Sequence, residues 1–174
     1  MTDSSNQWPD NPFWDYSLSI YGKNGLADAF LGLQEAISAD VNILLYCCWV
    51  GAVGGGEISA DEIKEITDGV VGWQSDVVKP LRTVRNVIKT QPAKLAETLP
   101  DKLYTRIQNC ELEAERVEQL MLFSAHPVIG MDDRSDSSKI QDVQRNLECY
   151  ATFLGTSLSQ NDKKNIAVIA QGSI

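Results

Sequence analysis

The chain has little with which to build a metal or redox centre. It holds one histidine, His126, and four cysteines in 174 residues. Cys47, Cys48, Cys110 and Cys149 form no CxxC, so neither a zinc finger nor a thioredoxin-type motif can be drawn. Basic residues are also in deficit. Fifteen Lys and Arg stand against 24 Asp and Glu, a net charge of −9, which excludes the broad cationic footprint of non-specific nucleic-acid binding. Long apolar runs are missing: the longest nearly apolar stretch, 43–53, falls well short of the ~20 residues of a membrane span. Residues 1–7 carry neither the basic nor the apolar segment of a secretory signal. These absences point to a cytoplasmic protein with reduced thiols, no membrane insertion, no nucleic-acid partner and no cofactor or metal motif. Alternating, strand-like apolar patterns are scarce as well.

What is present is helical periodicity, with apolar residues recurring at spacings of three and four. Asn11 and Pro12 suit the N-cap and first position of a short helix with Trp14, Leu18 and Tyr21 on one face. A second helix is expected over 26–37 on the stripe Leu26, Phe30, Leu33, Ile37. Asp40 caps a third, from Val41 to about Ala52, which is apolar nearly all round and so expected at the centre. Ser59 and Glu62 make a capping box for a fourth. Its stripe, Ile63, Ile66, Val70, Trp73, Val77, Leu81, Val84, Ile88, predicts one long helix over about 60–90, bent at Pro80. A fifth, over about 101–124 on Leu103, Ile107, Cys110, Ala114, Val117 and Met121, should return against it as a hairpin. A sixth starts near Ser138 and closes at Gly155, and Asp162 to Gln171 is read as a short last helix. The expectation is a single-domain all-α bundle of about six helices over 1–174, with 1–10 and 172–174 flexible.

Two stretches carry a family resemblance. The first is Phe13-Trp14-Asp15-Tyr16-Ser17-Leu18, then Tyr21, Gly25, Leu33-Gln34, and Asp40-Val41-Asn42-Ile43-Leu44-Leu45-Tyr46-Cys47-Cys48-Trp49. The second is Trp73, Val77-Val78, Pro80-Leu81-Arg82 and Arg85, followed by the acidic run from Glu111 to Glu118. Over residues 13–123 the chain resembles an uncharacterised family of small bacterial proteins of unknown function. The resemblance implies a bacterial, cytoplasmic, helical protein. It implies no activity and carries over no functional residue.

The most unusual feature is the basic stretch Lys79, Arg82, Arg85, Lys89 and Lys94, with no acid between Val77 and Ala96. At ~100° per residue, its first four members cover an arc of about 120° on the long helix. One reading is internal pairing with Glu111, Glu115 and Glu118 on the returning helix. The other is a site for an anion or an acidic partner, which arginine's planar fork suits. Arg85 is expected to pair internally, leaving Arg82 and Lys79 free. Trp14, Asn42, Tyr46 and Trp73 are a possible pocket. The carboxylates at 111, 113, 115 and 118 lack the histidines of a di-metal bundle. The DDxxD-like Asp132-Asp133-Arg134-Ser135-Asp136 reads as a solvated loop before a helix start. Gly54-Gly55-Gly56 lacks the GxxxxGK[ST] context of a phosphate loop. No catalytic residue is assigned. The favoured function is a non-enzymatic adaptor or regulator that binds another protein through a helical face, with self-association left open. The alternative is a pocket between helices, in an enzyme or otherwise, that takes a small anionic ligand through Arg82 and Arg85.

Overall fold

A computed structural model describes residues 8–90, 99–128, 130 and 133–174, the side chains of 99 and 100 excepted. Expectations about residues 1–7, Pro92, Lys94 and Asp132 lie outside these. The elements are α1 (Pro12–Tyr21), α2 (Leu26–Ile37), α3 (Val41–Ala52), α4 (Ala60–Trp73), a π-helical segment (Gln74–Val78), α5 (Lys79–Thr90), α6 (Leu99–Ala125), α7 (Asp136–Phe153) and α8 (Gln160–Gly172). No strand occurs among the described residues. With α4 through α5 taken as one continuous helix, the described residues form an all-α bundle of seven helices, close to the six or so expected. None of them is long and apolar enough to cross a membrane.

α3 is central, as its composition requires. Its Asp40 cap accepts from the Asn42 amide at 2.9 Å, and residues 42–48 are all buried. Its main neighbour is α7. The two approach so closely that a Cβ on Gly51 would stand 2.7 Å from the Val143 amide nitrogen, which admits only glycine there. The loop after α3 turns on Gly54 and Gly56, both at positive φ. Asn146 of α7 holds it. Its Oδ1 accepts from the Ile58 amide at 2.7 Å, and its Nδ2 donates to the Gly56 carbonyl at 3.1 Å.

The tail is more ordered than the sequence suggests. Ser159 and Asp162 form a capping box, and Ile166 and Ile169 bury one face of α8 against α2 and α7. Where fraying was expected, Ser173 is buried, and its carbonyl accepts from Tyr16 Oη at 3.1 Å. The α7 cap also differs: it is Ser135, accepting from the Ser138 amide, rather than Ser138 itself. Ser135 satisfies an orphan amide one turn earlier than Ser138 could.

The largest departure lies in the long helix. Up to Val70 the buried positions follow the expected stripe, Ile63, Ile66, Val70. Beyond it the buried residues are Gln74 and Val78, not Trp73 and Val77. Pro80 has no N–H to give the Asp76 carbonyl, and one turn before it the chain widens into the π segment, where the Lys79 amide bonds to the Gln74 carbonyl. The wider turn suits a spacing of four, so the inward seam slips by one residue. In α5 it falls between the apolar stripe and the arginines. Leu81 and Ile88 are half-buried, Val84 is exposed, and Arg82 and Arg85 turn towards α6. The expected α5–α6 hairpin does form.

Candidate functional site

α6 links the hairpin to the body. Its twenty-seven residues, about 40 Å of helix, run from beside α5 into the core, where Leu122 is buried. The inward face is not the apolar stripe the sequence suggests, since Leu103 and Cys110 are exposed. It carries Glu111, Ala114, Glu118 and Leu122, with Gln119 beside them, all buried. This polar face meets the start of α3, the arginines of α5 and the aromatic residues of α1 around a cavity of about 300 Å³.

One side of the cavity is an ion-pair cluster. Arg82 donates through Nε to Glu111 Oε1 at 2.8 Å and through Nη2 to Glu115 Oε1 at 2.6 Å. Arg85 donates through Nε to Glu111 Oε2 and through Nη2 to Glu111 Oε1, the latter at 3.2 Å. Burial works against the charge on Glu111. Arg85 and Arg82 more than offset it and hold the carboxyl below its ordinary range. Glu115 goes the other way: burial raises it, and the single bond from Arg82 does not compensate. Its Oε2 accepts no hydrogen bond among the described residues.

Behind the cavity runs a buried hydrogen-bond chain. Gln119 Nε2 donates to Asn42 Oδ1 at 2.9 Å, and Asn42 Nδ2 donates to Glu118 Oε2 at 2.9 Å. Asp40 accepts from Gln74 Nε2 at 2.6 Å, and its amide donates to Tyr150 Oη at 3.1 Å. Glu118 is fully buried and stands against Asp40. Burial first, and the Asp40 charge second, push its carboxyl up to about 9, so it stays protonated at neutral pH. Glu111 and Glu118 thus sit two turns apart on one helix with their carboxyl groups shifted in opposite directions.

The remaining walls are mainly apolar, formed by Trp14, Leu18, Tyr21, Leu31, Leu45 and Leu112, with the polar Ser17 and Gln34 among them. The Asn11 cap, bonded to the Trp14 amide at 3.2 Å, and the dipeptide start at Pro12 set the direction of α1 that brings Trp14 here. Arg116 stacks on the Trp14 ring, 5.2 Å from its centroid.

The residues picked out in sequence separate accordingly. Trp14, Asn42, Arg82 and Arg85 line the cavity. Tyr46 does not: it donates to the His126 carbonyl on another side of the core. Trp73 ties its Nε1 to the Ala114 carbonyl at 2.9 Å, outside the lining. The division expected within the basic stripe is also different. Arg82 is paired as fully as Arg85, because the seam slip turns both inward. Lys79 and Lys89 are exposed and have no ion-pair partner among the described residues. Of the three acids, Glu111 and Glu115 take the arginines, whereas Glu118 takes Asn42. Gln74, Gln119 and the second role of Asp40 do not follow from helical periodicity. Glu118 and Gln119 lie between the stripe positions Val117 and Met121, so helical periodicity gives no signal for Gln119. Gln74 left none without the π segment. No group of three metal-ligating side chains occurs among the described residues.

Fold and site together define an all-helical protein with a polar-headed, apolar-walled cavity where α1, α2, α3, α5 and α6 meet. The chain belongs to the family described as Protein of unknown function (DUF2390), whose model matches residues 12–122. That span takes in every helix lining the cavity and leaves out α7 and α8. No curated protein and no solved structure matches the chain.

Proposed function

We propose that the chain binds a small organic molecule in this cavity. The observation that carries the reading is the composition of the walls. Apolar surface from residues such as Trp14, Leu18, Tyr21, Leu31 and Leu45 makes up most of the lining, and charged and amide side chains at the start of α3 and on α5 and α6 gather on one side of it, a mixture of apolar wall and converging polar groups that suits a small molecule. Its volume lies at the lower end of the range for such sites, so one ring or a short branched chain fits. Carboxyl groups moved in opposite directions, Glu111 down and Glu115 up, mark the polar end as an electrostatically specialised environment. The protein purified from its native source should release a small molecule on denaturation, read by mass spectrometry against a Leu112→Trp variant. Leu112 is half exposed at the cavity wall, so the indole fills the space without disturbing the core. Identical small-molecule content in both proteins counts against the reading.

A second reading, docking of an acidic protein partner, is favoured by the outer face of α5. No α5 side chain is buried, and Val84 and Val87 are exposed on the helix that carries Lys79 and Lys89. Cross-linking in the native source, with a Lys79→Gln/Lys89→Gln variant as comparison, tests it. A partner lost in the lysine variant and kept in Leu112→Trp supports docking on α5; one kept in both removes it.

A further inference from the structure

We infer that the cavity's ligand is a cationic amine on an apolar body, with its ammonium group seated against Glu115. The inference rests on the small-molecule reading above and specifies its substrate class. Three carboxylates line the cavity, Asp40, Glu111 and Glu115, against two guanidinium groups, Arg82 and Arg85. Both guanidinium groups are already bound to carboxylates, and Glu111 takes hydrogen bonds from each. An anionic ligand would have to displace Glu111 or Glu115 and leave a half-buried carboxylate without its partner, which is costly. A cation meets the reverse situation, because Glu115 Oε2 has no donor among the described residues.

A second group points the same way. Gln119 is buried and lines the cavity, and its Oε1 has no hydrogen-bond partner among the described residues. Its Nε2 is fixed on Asn42, which sets the amide orientation and leaves the carbonyl oxygen as the unsatisfied atom. A buried acceptor without a donor costs about 1–3 kcal/mol until a donor arrives, and an ammonium group has three N–H bonds to give. The Trp14 and Tyr21 rings complete the chemistry, since aromatic faces attract cations and pack against apolar bodies.

Three probes with one ring and matched chains test the head group on the full chain at pH 7: 2-phenylethylammonium, 2-phenylethanol and 3-phenylpropionate. Binding is followed through the Trp14 indole and the backbone amides around the cavity by NMR titration. The ammonium probe should bind about tenfold tighter than the alcohol, and the carboxylate more weakly than either. Glu115→Gln should bring the ammonium and alcohol probes to within about threefold of each other. Equal affinities, or a preference for the carboxylate, overturn the amine assignment and leave the cavity reading standing. An ammonium preference that survives Glu115→Gln overturns the seat at Glu115. If none of the three shifts any cavity resonance, or if Leu112→Trp leaves the shifts intact, the small-molecule reading itself fails.

Discussion

α3 and α5 are both twelve residues long and live in opposite surroundings. α3 buries nine of its residues, is apolar on every side, and is held by packing against α7 and the rest of the core. α5 buries none, packs mainly on α6 and the π segment, and is fastened by Arg82 and Arg85 to two glutamates. Sequence reading treats amphipathicity as a sign of burial, yet the strongly segregated helix is the one left outside. Its segregation sets arginines against carboxylates rather than oil against oil. One part of the molecule should therefore answer to cavities and the other to charge.

The largest expected effect is in α3. Leu44 is 1% exposed, and Leu44→Ala should lower stability by about 2–5 kcal/mol, read from the urea midpoint. The loss should be the same in low and high salt. A midpoint that does not move places α3 at the periphery and removes the contrast.

The next effect belongs to the ion-pair cluster. Glu111→Ala leaves two half-buried guanidinium groups short of their shared carboxylate. With the arginines about a quarter exposed, solvent screens part of the loss, and about 1–3 kcal/mol is expected. The wild-type contribution should depend on pH with a definite sign. Glu111 is held below its ordinary value in the folded protein. Its stabilisation is therefore present above the unfolded carboxyl pKa and lost as pH falls through the folded value. The wild-type and Glu111→Ala midpoints should converge in acid; a constant gap down to low pH would mean that the glutamate acts by packing alone.

Glu118 sharpens the comparison, because the same helix should show the opposite sign. Its folded pKa, pushed up to about 9, exceeds the unfolded value of about 4.3. The favourable state is the protonated one, fully present below the unfolded pKa and lost as pH rises towards the folded value. Glu118→Gln keeps a neutral side chain whose carbonyl oxygen can still accept from Asn42. The substitution should change the melting temperature little near pH 4 and raise it above wild type near pH 8. A variant that is less stable than wild type at pH 8 would show that the carboxylate, not the acid, is the native form.

How much of this was legible depended on which force fixed each element. The caps at Asn11, Asp40 and Ser59 and the apolar α3 were readable because local hydrogen bonding and bulk hydrophobicity decide them. The hairpin and the facing acids at 111 and 115 followed from helical arithmetic. That arithmetic failed after Val70, where a missing proline N–H and a wider turn moved the seam from Trp73 and Val77 to Gln74 and Val78. The failure carried into the site. It hid Gln74 and misplaced Arg82, while Tyr46 and Trp73 were credited to a pocket they do not line. Polar groups buried as a network, such as Gln119, Asn42 and Glu118, leave no periodic trace, because each bonds to a residue remote in sequence.

The smallest effect probes α5 from its outer side. Lys79 and Lys89 share the helix with Arg82 and Arg85 but have no ion-pair partner among the described residues. If α5 is fastened only through its arginines, Lys79→Gln/Lys89→Gln removes like-charge repulsion along the helix and no attraction of substance. The urea midpoint should then stay within about 0.5 kcal/mol of wild type. Arg82→Gln, a single change one turn from Lys79, should by contrast lower it, because Glu111 and Glu115 both lose a donor. The effect of Arg82→Gln should shrink in high salt, whereas the double-lysine variant should be insensitive to it. A double-lysine variant as destabilised as Arg82→Gln would mean that the whole basic stripe fastens the arm. The outer face of α5 would then be structural, and the docking reading would lose the surface it depends on.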